Sequence, residues 1–298
     1  MSILFLKIVI QLFILEGHSS ENKLFIESSY KIEATEMSGI CLREREVVIV
    51  NDKDNLISFY KLSDLSAPAS RIIDLKALKG APSDLNGQWE AVACSVGGGL
   101  VLLQETPSRI VVVSKDLKSI SSVHDLILEA PLLKNIKWDK ASNSLGEGIV
   151  LGAEGRFIIA KEKNPVQLIE FSQERIKKGA SFIIGKEFQT PKAGSFFAVN
   201  NWTLPLKYLK KIKDVSDIYQ HIDGSLYLLS DQSRNISKIK GAPHENGGEL
   251  IIEKTWTLPS RIKKPEGFFL DHKNRAVIVV DSKKVRKKGN LFITSPLY

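Results

Sequence analysis

A short pattern that recurs five times along the chain constrains its fold more than any other feature. Each copy starts with a polar or acidic residue, then a small or polar one, then an apolar one. The copies are Ser38-Gly39-Ile40, Glu90-Ala91-Val92, Glu147-Gly148-Ile149, Ser216-Asp217-Ile218 and Glu266-Gly267-Phe268. A polar turn follows each, such as Gly97-Gly98-Gly99 or Asp223-Gly224-Ser225, and then an apolar run: residues 47–50, 100–103, 157–160, 226–229 and 276–280. Every run leads into a carboxylate, at Asp52, Glu105, Glu162, Asp231 and Asp281, 14 or 15 residues after its copy began. Two antiparallel strands joined by a tight turn bring the chain back to its starting level. Each copy therefore reads as a β-hairpin whose first residue and closing carboxylate share one edge.

Successive copies start 52, 57, 69 and 50 residues apart. That leaves room for two further strands in each unit, for example residues 56–62 with 71–75, or 110–114 with 120–123. Four strands in about 40–50 residues is the size of a propeller blade. The last hairpin is followed by only one further strand, residues 290–295, and residues 24–32 precede the first hairpin without a unit of their own. Pairing these two orphans would complete the last unit and remove an exposed edge. The expected fold is all-β: a β-propeller of five four-stranded blades, closed by its N- and C-terminal strands. The long interval, residues 171–214, carries an insertion in which a sixth blade is the alternative.

At 298 residues, 43% of them hydrophobic, the chain can bury one large core. Residues 1–19 are mostly apolar, with small residues at Gly17 and Ser19, and read as a signal peptide ahead of a single propeller domain, residues 20–298. The apolar run is too short to span a bilayer, so no membrane span is expected. Export to the periplasm or the exterior follows from this reading. Cys41 and Cys94 are too few for a disulfide framework or a cysteine metal site. They fall at non-equivalent points of the repeat, and are expected as buried free thiols. A net charge of +8 favours anionic partners. The aromatic residues do not interleave with the basic runs as RNA-stacking motifs do, and nucleic acid is not an expected partner.

Four phrases resemble the SdiA-regulated family: Gly146-Glu147-Gly148-Ile149, Ala160-Lys161-Glu162-Lys163-Asn164-Pro165, Leu229-Ser230-Asp231-Gln232-Ser233-Arg234 and Lys264-Pro265-Glu266-Gly267. The resemblance covers roughly residues 25 to 298. It implies an exported bacterial β-propeller that tolerates calcium, distantly similar to phytase-like propellers. Ser38 and Ser216-Asp217 depart from the family's repeated Glu-Gly pattern, so the resemblance does not carry a complete ring of metal ligands onto this chain.

In a propeller the innermost strands line the central channel, so the recurring acidic positions should crowd around one mouth. Glu90, Glu147, Glu162 and Glu266 are the candidate ligands of a divalent cation, Ca²⁺ or Mg²⁺, because converging carboxylate oxygens suit a hard ion. Asp217 is expected at the same mouth. The competing reading is structural: each carboxylate accepts backbone N–H bonds and holds a loop. Around the mouth, the candidate ligand-binding residues are Lys161, Lys264, Arg234, Glu105, Asp231 and Asp281. Basic runs at residues 207–213, 261–264 and 283–288 flank the same positions and suit an anionic ligand.

No Gly-x-Ser-x-Gly elbow, His-Glu-x-x-His helix or P-loop occurs, and the five histidines show no ligand spacing. The leading functional reading is therefore a monomeric, non-catalytic cell-envelope propeller. It binds an anionic small molecule or a protein partner through one face of its channel. The alternative is a metal-dependent hydrolase of phosphate esters or other anionic substrates. Three or more carboxylates within coordination distance of one point would favour the enzyme, and carboxylates satisfied by backbone donors would favour the binding module.

Overall fold

The computed structural model describes residues 22–129, 136, 138, 146–175, 194–244, 246–283 and 289–298. The candidate signal peptide, part of the insertion within residues 171–214 and the basic run at 284–288 lie outside the described residues. Two short strands open the fold, β1 (Asn22–Lys23) and β2 (Ile26–Tyr30). The first unit then runs β3 (Met37–Arg43), β4 (Glu46–Asn51), β5 (Leu56–Lys61) and β6 (Arg71–Asp74). The second is β7 (Trp89–Cys94), β8 (Leu100–Gln104), β9 (Arg109–Val113) and β10 (Ile120–Ile127). The third is β11 (Gly146–Leu151), β12 (Phe157–Lys161), β13 (Gln167–Ser172) and β14 (Phe196–Thr203).

A single-turn helix, α1 (Leu206–Leu209), leads into the fourth unit. This comprises β15 (Asp217–Gln220), β16 (Leu226–Ser230), β17 (Asn235–Ile239) and, after the two-residue β18 (Gly248–Glu249), β19 (Ile252–Thr257). The fifth is β20 (Pro265–Leu270), β21 (Arg275–Val280) and β22 (Leu291–Pro296), with β2 paired antiparallel to β22 as its fourth strand. The two ends of the chain thus close the propeller as the orphan strands require. Asn290 fastens the junction: its amide accepts from Ile32 N–H at 2.9 Å and donates to the Ile32 and Ala34 carbonyls at 3.0 and 2.9 Å.

Packing explains why the middle strands read as unbroken apolar runs. Strands β8 and β12 are buried along their whole length, and β4 from Val47 to Asn51, because a neighbouring unit covers each face. Outer strands such as β10 alternate buried with exposed residues instead. Among the described residues the core is divided into five slabs, one in each seam between adjacent units. Val50, Phe59 and Leu102 belong to the first–second seam, for example, and Ile49, Tyr60 and Phe269 to the seam that joins the fifth unit to the first. The innermost strands β3, β7, β11, β15 and β20 stand side by side in a closed ring around the channel. Outside that ring, β10 and β14 pair in parallel and tie the second unit to the third. No helix among the described residues is long and apolar enough to cross a membrane.

Cys41 and Cys94 are not free thiols. They form a disulfide between β3 and β7, with Cα atoms 5.7 Å apart. Neighbouring inner strands lie in contact along their length, and a one-residue difference in repeat position still leaves two side chains within bonding reach.

Candidate functional site at the acidic mouth of the channel

Each inner strand enters through a β-bulge, and the bulged residue is the first residue of the recurring pattern. In β3 the register shifts between Met37 and Gly39, leaving Ser38 unpaired; Glu90, Glu147 and Glu266 occupy the same place in β7, β11 and β20. Ser216 takes it in the fourth unit, where its N–H and Asp217 both meet Leu229. The next residue is small in four of the five units, because there the strands pack almost backbone to backbone. A Cβ on Gly39 would lie 2.9 Å from Val92 N, and one on Gly148 would lie 2.5 Å from Ile218 N.

The five bulge positions divide into two kinds. Ser38 and Ser216 are buried and turn sideways: the Ser38 hydroxyl donates to the Trp89 carbonyl, and Ser216 Oγ donates to the Pro265 carbonyl at 2.7 Å. Both tie one unit to the next. Glu90, Glu147 and Glu266 keep part of their surface open, and no hydrogen bond joins their carboxylates to another described residue. Burial, followed by the charges of Glu105, Asp52 and Glu266, pushes Glu90 up to about 9. Burial and then Asp231 and Asp281 push Glu266 up to about 8. Glu147 is held well above the ordinary carboxylate range by burial and by Glu90, Glu162, Glu266 and Glu105. The three glutamates therefore share one pit and crowd one another's charge.

The closing carboxylates form the outer circle, fixed by backbone. The N–H groups of Asp52, Glu105 and Asp281 donate to the carbonyls of Glu36, Gln88 and Lys264 at 2.9–3.0 Å. Those three residues have positive φ (48°, 58° and 54°), a turn that aims the carbonyl at the end of the hairpin. The Asp231 carboxyl is raised by burial and by Asp214. Lysines meet this circle at the rim: Lys53 reaches Asp52 at 2.5 Å, Lys163 reaches Glu162 at 2.6 Å, and Lys264 reaches Asp281 at 2.6 Å. Glu162 is nonetheless raised, by burial first, and its second oxygen is buried without a partner among the described residues.

Several residues sit elsewhere than expected. Lys161 is fully buried, with its ammonium donating to the Lys163 carbonyl. Asp217 occupies the small-residue position rather than the bulge. It is buried across the seam, accepting N–H bonds from Ile218 and Phe268 at 2.8 Å each. Arg234 is exposed in the turn after β16, with its N–H on the Asp231 carbonyl at 3.1 Å. Lys53 and Lys163 were missed by the reading of motifs, although a lysine directly after the closing carboxylate was the available signal. Asp214 was missed as well. It is buried, accepts the Ser230 hydroxyl and holds Gln232 N–H at 3.1 Å, so it organises the turn that carries Asp231.

The donor set is hard oxygen, which suits Ca²⁺ or Mg²⁺. Among the described residues, however, no three Asp, Glu, His or Cys side chains converge closely enough to cage a metal ion by themselves.

A family model described as SdiA-regulated matches residues 73–282, from β6 to the carboxylate that closes the last hairpin. The chain belongs to the SdiA-regulated family. No curated protein matches it in sequence. Among solved structures, the glutaminyl cyclase of Myxococcus xanthus resembles this SdiA-regulated protein at 10% identity and a TM-score of 0.54, over 91% of this chain and 95% of that one. The virginiamycin B lyase of Staphylococcus aureus resembles it at 15% identity and a TM-score of 0.43, over 88% of this chain and 70% of that one. At such identities the likeness concerns the propeller fold and does not extend to the reactions those proteins' names describe.

Proposed function

We propose that this SdiA-regulated protein is an exported, non-catalytic binding propeller whose acidic mouth holds a divalent cation shared with an anionic ligand. One observation carries the reading. Serine satisfies the fold at the bulge position in two units, yet three units carry glutamates that bond to no described residue and are costly to ionise. Such a cost is retained where ligand repays it. One or two of Glu90, Glu147 and Glu266 would supply carboxylate oxygens to the cation, and the others would lend it their charge. Since no cage of described residues closes around it, the rest of its oxygen shell comes from water and ligand, the habit of Mg²⁺ and of weak Ca²⁺ sites. Lys53, Lys163 and Lys264 stand at the rim, where the anionic part of the ligand would lie.

The hydrolase alternative is less well supported, because it needs carboxylates gathered at one point around an activated water. Export is supported by the Cys41–Cys94 disulfide, a bond that persists in oxidising compartments. The test is thermal unfolding in excess chelator and then in millimolar calcium or magnesium, for wild type and Glu147→Gln. The proposal expects a cation-dependent rise of several degrees in wild type and a smaller one in the variant. No rise in wild type would reject it. Turnover of p-nitrophenyl phosphate that depends on the added cation would move the assignment to the hydrolase.

A further inference from the structure

The opposite end of the channel holds a second opening that none of this chemistry uses. Beyond the backbone-to-backbone waist at Gly39, Gly148 and Gly267, the inner strands diverge around a cavity of about 470 Å³. Its floor includes Asp217, and its half-buried walls include Leu42 and Leu151. The volume is in the range of small-molecule sites.

Two features separate this cavity from an ordinary gap at the end of a propeller. The first is its rim. Turn tips favour Gly, Asn, Asp and Ser. The turn after β7 instead presents Val96, 72% exposed, and the turn after β15 presents Ile222, 78% exposed. Both line the cavity, from two units that are not neighbours. Lone exposed aliphatic residues are ordinary, but two at one apolar opening form a lip. The second feature is an unspent donor. The side-chain amide nitrogen of Gln220, also in the lining, is buried and has no hydrogen-bond partner among the described residues. A buried donor left without a partner is costly, and a turn of the Gln220 side chain into the cavity would let a ligand acceptor relieve it.

We propose that this distal cavity binds a small apolar molecule carrying a hydrogen-bond acceptor, with Val96 and Ile222 closing over its apolar body and Gln220 meeting the acceptor. Asp217 supports the floor: its two carboxyl oxygens are taken up by the backbone N–H groups of Ile218 and Phe268 at 2.8 Å each, which fixes it in place. This site is separate from the acidic mouth and takes ligand of the opposite character.

The test uses Prodan, a neutral naphthalene ketone whose emission shifts to the blue in apolar surroundings. Titrated against the full chain, it should show a saturable, one-to-one blue shift. Val96→Asp with Ile222→Asp should weaken binding at least tenfold, while the calcium response of thermal unfolding stays as in wild type. Gln220→Leu should weaken it severalfold, which keeps the proposal falsifiable should the rim variant fold poorly. Non-saturable emission, wild-type affinity in both variants, or displacement of Prodan by calcium would overturn the assignment.

Discussion

Ser216 Oγ donates a 2.7 Å hydrogen bond to the Pro265 carbonyl, crossing the seam between the fourth and fifth units. One unit earlier, the same register position is held by Glu147, whose carboxylate bonds to no described residue and faces the charges of Glu90, Glu162 and Glu266. One scaffold position thus serves cohesion in some units and an acidic pit in others. The pit should leave a signature in the protein's response to pH.

That response has a definite sign. Glu90 is raised from an ordinary 4.5 to about 9 and Glu266 from 4.5 to about 8. Between those values the folded state keeps protons that the unfolded chain has already lost, so raising the pH favours unfolding. The associated stability is fully present below about pH 4.5 and is lost as pH climbs through 8 and 9. Each group contributes a slope of at most about 1.4 kcal/mol per pH unit. Urea midpoints in chelator should fall between pH 5 and 9, and Glu90→Gln should flatten the fall. A midpoint that rises over this range would contradict the arrangement.

The waist of the channel should tolerate almost no added volume. A Cβ on Gly148 would lie 2.5 Å from Ile218 N and 2.8 Å from Asp217 Oδ1, so Gly148→Ala should cost about 1–3 kcal/mol or more. Asp217→Ala should cost about 2–5 kcal/mol, because it strips acceptors from two buried N–H groups. Denaturant unfolding measures both. Asp217→Asn should fall between wild type and alanine, since one amide oxygen can replace only part of a carboxylate that serves two donors.

How far the sequence foretold this site follows from which contacts are local. The hairpins were legible because strand, turn and strand lie within 14 or 15 residues, and the closure because residues 24–32 and 290–295 were visibly unpartnered. The Cys41–Cys94 bond was not legible. It depends on how two inner strands 53 residues apart lie against each other, and no local periodicity encodes that. Asp217 was misplaced at the mouth for a similar reason. Its position is one step past the bulge, and the clue was that Gly39, Ala91, Gly148 and Gly267 are all small there. Lys161 was not legible as a buried residue, because its ammonium is satisfied by the Lys163 carbonyl and nothing in the sequence marks that bond.

The disulfide should be a stabilising clamp between the first two units. Replacing both Cys41 and Cys94 with serine should cost about 2–4 kcal/mol, and a reductant should lower the unfolding temperature of wild type toward that of the double variant. An unfolding temperature that is indifferent to reductant would show that the bond contributes nothing.

Removal of residues 20–33 should uncover the edge of β22 and leave the Asn290 side chain without its Ile32 partner. An open edge strand pairs with other chains, so the truncated protein should self-associate on size-exclusion chromatography. A monomer of unchanged stability would count against closure as a source of cohesion.

The central claim is that Glu90, Glu147 and Glu266 are kept for ligand rather than for the fold, and the combined Glu90→Ser, Glu147→Ser and Glu266→Ser variant tests it most directly. Its thermal unfolding should be followed at pH 8 in chelator and again in millimolar calcium, beside wild type. The expected result is a variant more stable than wild type in chelator and indifferent to calcium, while wild type gains stability from the ion. A variant less stable than wild type in chelator, with its calcium response intact, would contradict the claim and return the glutamates to a structural role.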